Sequence, residues 1–389
     1  MTSSQSHITR RSFLSSAAAL PFALKMLGQQ PESLVYLGTD TGKGIYRARF
    51  DAVSGRMTDV QLAVATVRPT FFALHPKLPL LIVANSADEG KAAVTSYRFD
   101  RQSGALTQIS SAYTHGDDPC YVSVSPAGNA VFTANYDSGS LSFFHCDDAG
   151  RLKRLTTERL APAGAHGPVA DRQDASHLHS CKFSPDGRFV IVCDLGTDTI
   201  FSVPFTAAAR TASHAQVMPS LGRPLATRTR PGSGPRHVAF HPNGRWMYCM
   251  HELDCTVDLF DVRSKGELAF REGSVVSTLR SGCAVAGNTG CELVFSDDGS
   301  LLYTCTRGVN EMTVYRVDTR TGLLTEAQRL GAGGAVPRYI TLDPSRRFLL
   351  SCNQLSSTVT IFPLDPATGL LREPSKSVAV DTPMFAQFL

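Results

Sequence analysis

The chain has 389 residues, 42% of them hydrophobic, with 31 Gly and 22 Pro, which fits a large, turn-rich β-protein with a substantial core. Its 38 basic and 34 acidic side chains leave a formal charge of +4 with no Lys/Arg block, which argues against nucleic acid as a partner. Of its ten cysteines, seven (Cys120, Cys181, Cys193, Cys249, Cys291, Cys305 and Cys352) fall inside apolar, strand-like runs, and no C-x-x-C pair exists, so free buried thiols are expected rather than a zinc knuckle or a thioredoxin-like site.

At the N-terminus, Thr9-Arg10-Arg11-Ser12-Phe13-Leu14 resembles the twin-arginine export motif of bacteria. The apolar stretch that follows, Phe13 to Leu24, is about 12 residues, too short to cross a bilayer but right for the core of a signal peptide. Residues 1–30 are therefore expected to be a targeting segment and 31–389 the mature domain. The expected transient partner is the twin-arginine translocase, with no stable membrane insertion. The expected location is the periplasm or another exported site, or the cytoplasm if the signal does not function. That route carries folded proteins, which would let free thiols survive in an oxidising compartment.

After the signal, one unit recurs. Taking a turn proline as anchor gives Pro76, Pro126, Pro185 and Pro242, then Asp297 in a degenerate copy, then Pro344, separated by 50, 59, 57, 55 and 47 residues. A short alternating strand precedes each anchor (TFFALHP, CYVSVSP, HSCKFSP, RHVAFHP, CELVFSD, RYITLDP), and a Val/Phe/Tyr-rich strand follows it. Self-similarity at this period predicts a β-propeller with one four-stranded sheet per blade, and the period-two alternation excludes a helical solenoid. The chain ends in a first strand alone, Pro383 to Leu389, and opens after the signal on a second strand, Leu34 to Thr39. Pairing the C-terminal strand with the N-terminal strands makes a seventh blade and removes the open sheet edge. The expectation is an all-β fold, one seven-bladed propeller domain.

The copies differ most at one rim. Six residues before the anchor stand Thr70, Cys120, His179, Arg236, Cys291 and Arg338; nine after it, Asn85, Asn135, Asp194, His251, Thr306 and Asn353; ten after it, Ser86, Tyr136, Leu195, Glu252, Arg307 and Gln354. Across the hairpins, His179 is expected to face Asp194, which would fix its tautomer and raise its basicity. Arg236 is expected to face His251 and Glu252, and Arg338 to face Asn353 and Gln354. His177, two residues before His179, is placed on the same side of the strand. The loop before it adds His166, Arg172 and Gln173. Two imidazoles at this spacing suit a metal, but Arg236, Arg307 and Arg338 would repel a cation, so neither metal nor cofactor is expected. No G-x-S-x-G elbow, Walker loop or dinucleotide fingerprint occurs.

The runs PCYVSVSPAGNAVFTANYDSGSLSFF, RQDASHLHSCKFSPDGRFVIVCDLGTD, GSGPRHVAFHPNGRWMYCMHELDCTVDLFD and NQLSSTVTIFPLDPATGLL resemble the seven-bladed propeller lactonase family. That family includes the bacterial propeller type of 6-phosphogluconolactonase and the fungal carboxy-cis,cis-muconate cyclase. The likeness covers nearly the whole chain after the signal. It implies metal-independent chemistry by a His, two Arg and a Glu. By motif these fall on His177 or His179, on Arg236 and most closely Arg307, and on Glu252. Two departures are Ser86, where many relatives carry Glu, and Asp297-Asp298-Gly299 in place of Pro-Asp-Gly.

Lactone hydrolysis needs a base for water and a cation over the oxyanion. The expected catalytic set is His179, Glu252, Arg236 and Asp194; the expected substrate-binding set is His177, Arg307, Arg172, Gln173, Arg338 and Gln354. The expected activity is a metal-independent lactonase acting on a sugar-acid lactone, of the 6-phosphogluconolactonase type. A muconolactone cycloisomerase and an exported, non-enzymatic binding propeller are the alternatives.

Overall fold

Each repeat folds as an antiparallel meander whose second strand is sandwiched between neighbouring blades. This is why runs such as Leu80–Asn85, Ala130–Asn135, Trp246–His251 and Phe348–Asn353 are buried at every position instead of alternating. The structure, a computed structural model, describes residues 32–87, 91–207, 209–210, 216–374 and 376–389. The expected targeting segment, 1–30, lies outside the described residues. Blades 1 to 6 begin at the strands Pro69–Leu74, Pro119–Val124, Leu178–Phe183, Pro235–Phe240, Thr289–Phe295 and Pro337–Leu342. Blade 7 is assembled from both ends of the domain, in the order Arg56–Ala65, Gly44–Asp51, Ser33–Thr39, Pro383–Phe388. The closing pair runs antiparallel from Val35↔Phe388 to Thr39↔Pro383. The chain is an all-β, seven-bladed propeller closed by its C-terminal strand.

The core lies between blades. Phe50 of blade 7 meets Phe388 edge-on at 5.3 Å and Phe348 of blade 6 at 5.7 Å, so ring closure is also a packing event. Two histidines lock neighbouring blades in the same way. His75 Nε2 lies 3.0 Å from Gly128 O while its Nδ1 accepts the backbone N–H groups of Lys77 and Leu78. His241 repeats this against Gly299 O at 3.1 Å. Gly128 has φ +86° and a Cβ there would come within 2.4 Å of the His75 ring, so only glycine fits this turn. All ten cysteines are free thiols.

One irregularity places the site. The first strand of every blade shifts register by one residue against the second, at Thr70, Cys120, His179, Arg236, the Cys291–Glu292 step, Arg338 and Met384. A bulge sets two residues opposite one and breaks the strict alternation of side chains. The bulged residues gather around the channel mouth, and the residues just after them meet one another across blades. Phe71 stacks on Tyr121 at 3.9 Å, and Phe385 lies 4.1 Å from both Phe71 and Tyr339. A polar layer therefore sits on an aromatic plug.

Candidate active site

Glu252 is the centre of the polar layer. It follows the buried strand Trp246–His251, and its backbone is fixed by N–H donation to Gly234 O (2.8 Å) and by accepting from Gly290 N (2.9 Å). Its carboxylate, 3% exposed as a residue, receives Arg172 Nη2 at 2.5 Å, Arg307 Nη2 at 2.6 Å and Arg236 Nε at 3.0 Å, with His179 Nε2 at 3.6 Å. Burial alone would push this carboxyl up, but Arg307, His179, Arg236 and Arg172 together hold it well below the usual carboxylate range. Glu252 is an ionised carboxylate.

His179 sits on the bulge of blade 3, between Tyr136 (5.4 Å, edge-on) and His237 (5.2 Å). Burial, reinforced by Arg236, drives its pKa well below the ordinary imidazole value, so the ring is neutral. Its Nδ1 has no hydrogen-bond partner among the described residues. With Nε2 turned to Glu252, that nitrogen retains a lone pair able to take a proton.

The arginines divide into paired and unpaired. Arg236 is 2% exposed and also donates to Cys291 O at 2.5 Å; Arg307 reaches Gly290 O at 3.3 Å. Burial opposes the charge of both Arg307 and Arg172, yet contact with Glu252 leaves their pKa values raised. Arg338 has no carboxylate partner among the described residues; burial, with Arg307 and Arg236 nearby, pulls its pKa down. It lines a tight pocket of about 10 Å³ together with His179, Arg236, Cys120 and Thr70. Two roomier clefts lie at the turns on the blades' other edge, one between blades 5 and 6 with Asp297, Asp298, Arg346 and Asp365, the other between blades 3 and 4 with Asp186, Arg188 and Arg263. Among the described residues, no three His, Cys, Asp or Glu converge as a metal-ligand set.

Several sequence expectations are corrected. Asp194 does not face His179. It caps the 3₁₀ turn Leu195–Thr197, accepting from Gly196 N (3.1 Å), His177 N (2.8 Å) and Ser176 Oγ (2.7 Å). The carboxylate beside His179 is Glu252, one column further along and on the next blade, because the side chains ten after the anchor turn to the mouth. Those nine after it turn to the third strand: Asn353 bonds Thr360, and His251 lies 3.1 Å from Asp258. Neither therefore faces the arginine expected of it. His177 precedes the strand, and both its ring nitrogens are engaged, with Tyr136 O (3.1 Å) and Asp174 (2.9 Å), while the ring stacks on Tyr136 at 4.6 Å. It is an outer wall, not a twin of His179. Gln173 is fully buried and braces the loop by donating to Leu195 O and Asp198, each 2.8 Å away, which is what holds Arg172 over Glu252. Gln354 donates to Asp40 at 2.9 Å, away from Glu252. His166 lies 3.1 Å from Gly167 O, outside the arginine cluster.

Three residues at the site were not selected by sequence. Tyr136, in the same column as Glu252, contacts His177, His179 and Arg172. His237 and Glu292 lie one residue after the bulge, where the other blades carry mostly aromatic rings; two polar side chains in an aromatic column were the available signal.

Residues 34–388 match the family model for the lactonase, 7-bladed beta-propeller. The chain is 30% identical to a 6-phosphogluconolactonase of Bacillus subtilis, covering 91% of this chain and 97% of the relative. It is 29% identical to a 6-phosphogluconolactonase of Formosa agariphila, over 87% and 94%. The solved periplasmic gluconolactonase of Pseudomonas aeruginosa superposes with a TM-score of 0.81 at 30% identity, over 92% of this chain and 99% of that one.

Proposed function

The chain belongs to the seven-bladed β-propeller lactonase family, and on that footing we propose that it is a metal-independent lactonase hydrolysing a sugar-acid lactone of the 6-phosphogluconolactone type. The observation that carries this reading is the neutral, buried His179 with one unpartnered ring nitrogen, set against the ionised Glu252 and beside an unpaired Arg338. His179 takes a proton from water as the oxygen adds to the lactone carbonyl. Glu252 stabilises the imidazolium that forms, and Arg338 and Arg307 hold the oxyanion. As the ring C–O bond breaks, the same proton passes to the leaving alkoxide. Lactone and water thus become a hydroxy acid, with the imidazole restored.

The charge balance supports an anionic substrate. Three guanidinium groups, on Arg172, Arg236 and Arg307, share the ionised Glu252, and Arg338 beside them has no carboxylate of its own among the described residues, so the site has cations to spare for a phosphate or carboxylate. Hydrolysis of 6-phosphogluconolactone and of gluconolactone, corrected for background, tests this. The phosphorylated lactone is expected to have the lower KM, and no turnover of either would refute the reading. Export by the twin-arginine translocase is part of the same proposal. It is supported by Arg10-Arg11 and by the periplasmic location named for the Pseudomonas relative. Fractionation of cells carrying the intact chain or Arg10→Lys with Arg11→Lys tests it, with retention in the cytoplasm expected for the double variant.

A further inference from the structure

Below Glu252 and His179 lies a second pair that the reaction above leaves unused. His237 Nδ1 and Glu292 Oε2 are 2.8 Å apart, with side chains 6% and 9% exposed. Leu293 N donates to the other Glu292 oxygen at 3.0 Å. Arg236 Nη1 stands 3.3 Å from each of the two His237 ring nitrogens. In the ring plane, a point equidistant at that range would collide with Cε1, so the guanidinium lies over the face of the imidazole. A cation over a neutral ring is attracted; over an imidazolium it is repelled. Arg236 is in turn the residue that holds Glu252 and Cys291 O.

We propose that Glu292, acting through His237, is a positioning residue: the pair keeps a neutral imidazole under Arg236 and sets the charge beneath the arginine cluster, so that ionisation of Glu292 weakens anion binding at the mouth. The proton count is definite. With Glu292 protonated, its O–H donates to Nδ1 and the ring proton sits on Nε2. When one proton leaves to solvent, the ring proton moves to Nδ1 and donates to the carboxylate, and His237 is neutral throughout. Burial, then Arg236, Arg338 and Lys182, keep His237 well below the usual imidazole value. Burial pushes Glu292 up to about 7 against the pull of Arg236 and Lys182. Tyr121, Tyr339 and Cys305 also face Glu292, but burial raises all three above their usual range. A further group that titrates nearby is Cys291: burial opposes its ionisation, but the Cys305 thiol and then Arg236, Arg307 and Arg338 draw it down to about 6.

This inference rests on the arginine cluster being the anion site of the proposed lactonase, but its test does not need turnover. Sulfate, whose charge is constant from pH 6 to 8.5, serves as probe by calorimetry, and loss of its binding in Arg338→Ala identifies the site. Wild type is expected to lose sulfate affinity on the order of tenfold or more as pH rises, since a unit charge about 12 Å away at an effective dielectric of about 20 is already worth a factor of ten. Cys291→Ser should follow wild type, and Glu292→Gln, whose amide donates to Nδ1 as the acid does, should be flat. A Glu292→Gln protein with the wild-type slope, or a wild type with flat or absent sulfate binding, overturns the proposal. If Glu292→Gln does not fold, infrared titration of wild type decides. A protonated-carboxyl band lost near neutral pH supports the proposal and its absence overturns it. Where a lactone is hydrolysed, the wild-type KM should rise over this range while kcat does not. Absence of lactone turnover with the sulfate pattern intact would sink the lactonase reading alone.

Discussion

Glu252→Gln separates the electrostatic role of the central carboxylate from its shape. The amide fills the same volume and accepts one of the three guanidinium contacts, at 2.5, 2.6 or 3.0 Å, but carries no charge. Two losses follow. Arg236 and Arg307 become buried cations without a counter-ion, and breaking a buried ion pair from one side costs about 3–5 kcal/mol of stability. The lower part of that range is expected, because Arg172 is 34% exposed at its side chain and can relax into water. Catalysis loses the charge that stabilises the His179 imidazolium, and a positioned acid–base group contributes about 10²–10⁴-fold. The expected kcat for lactone hydrolysis therefore falls by about 10²–10⁴, or roughly 3–5 kcal/mol of barrier. The assay is base uptake at fixed pH, with background hydrolysis subtracted, on protein shown to be folded by circular dichroism. A folded variant with kcat within about threefold of wild type, against that expected range, would refute the reasoning.

Arg338→Ala should raise KM for a phosphorylated lactone by about 10- to 100-fold, the value of a lost charge-assisted hydrogen bond, and change it little for an uncharged lactone; parallel saturation curves check this. Asp194→Asn should cost about 1–3 kcal/mol in urea denaturation, since three hydrogen bonds to the chain before and after it are weakened, with kcat/KM nearly unchanged. Lost activity at unchanged stability would return Asp194 to the site. His75 gives a pH dependence: burial lowers its pKa in the folded protein, so on acidification the unfolded chain binds the proton first. Its contribution to stability is complete above pH ~6.5, the ordinary imidazole value, and declines as pH falls below it. The midpoint of thermal unfolding should drop from pH 7 to pH 5, and less so in His75→Asn.

Strand pattern and closure are legible in the sequence because both are periodic. Alternation with turn prolines fixes the hairpins, and the unmatched ends Leu34 to Thr39 and Pro383 to Leu389 require one another. The rim columns were legible for the same reason, and they bring His179, Arg236, Glu252, Arg307 and Arg338 together. Asp194 was misplaced because composition does not tell which of two adjacent columns faces the channel; here it caps the turn at Leu195. His237 and Glu292 were hidden because a bulge turns two consecutive residues, and the alternation rule admits only one. Gln173 looked like a site residue only by its place beside Arg172 in an aperiodic loop, and its burial under Leu195 is a tertiary fact.

The most direct measurement is 6-phosphogluconolactone hydrolysis by the purified protein in excess chelator, wild type beside His179→Ala. The expected result is wild-type turnover unaffected by chelator and a fall of about 10²–10⁴-fold in the variant. Turnover abolished by chelator, or retained in full by His179→Ala, would contradict metal-independent catalysis by this imidazole.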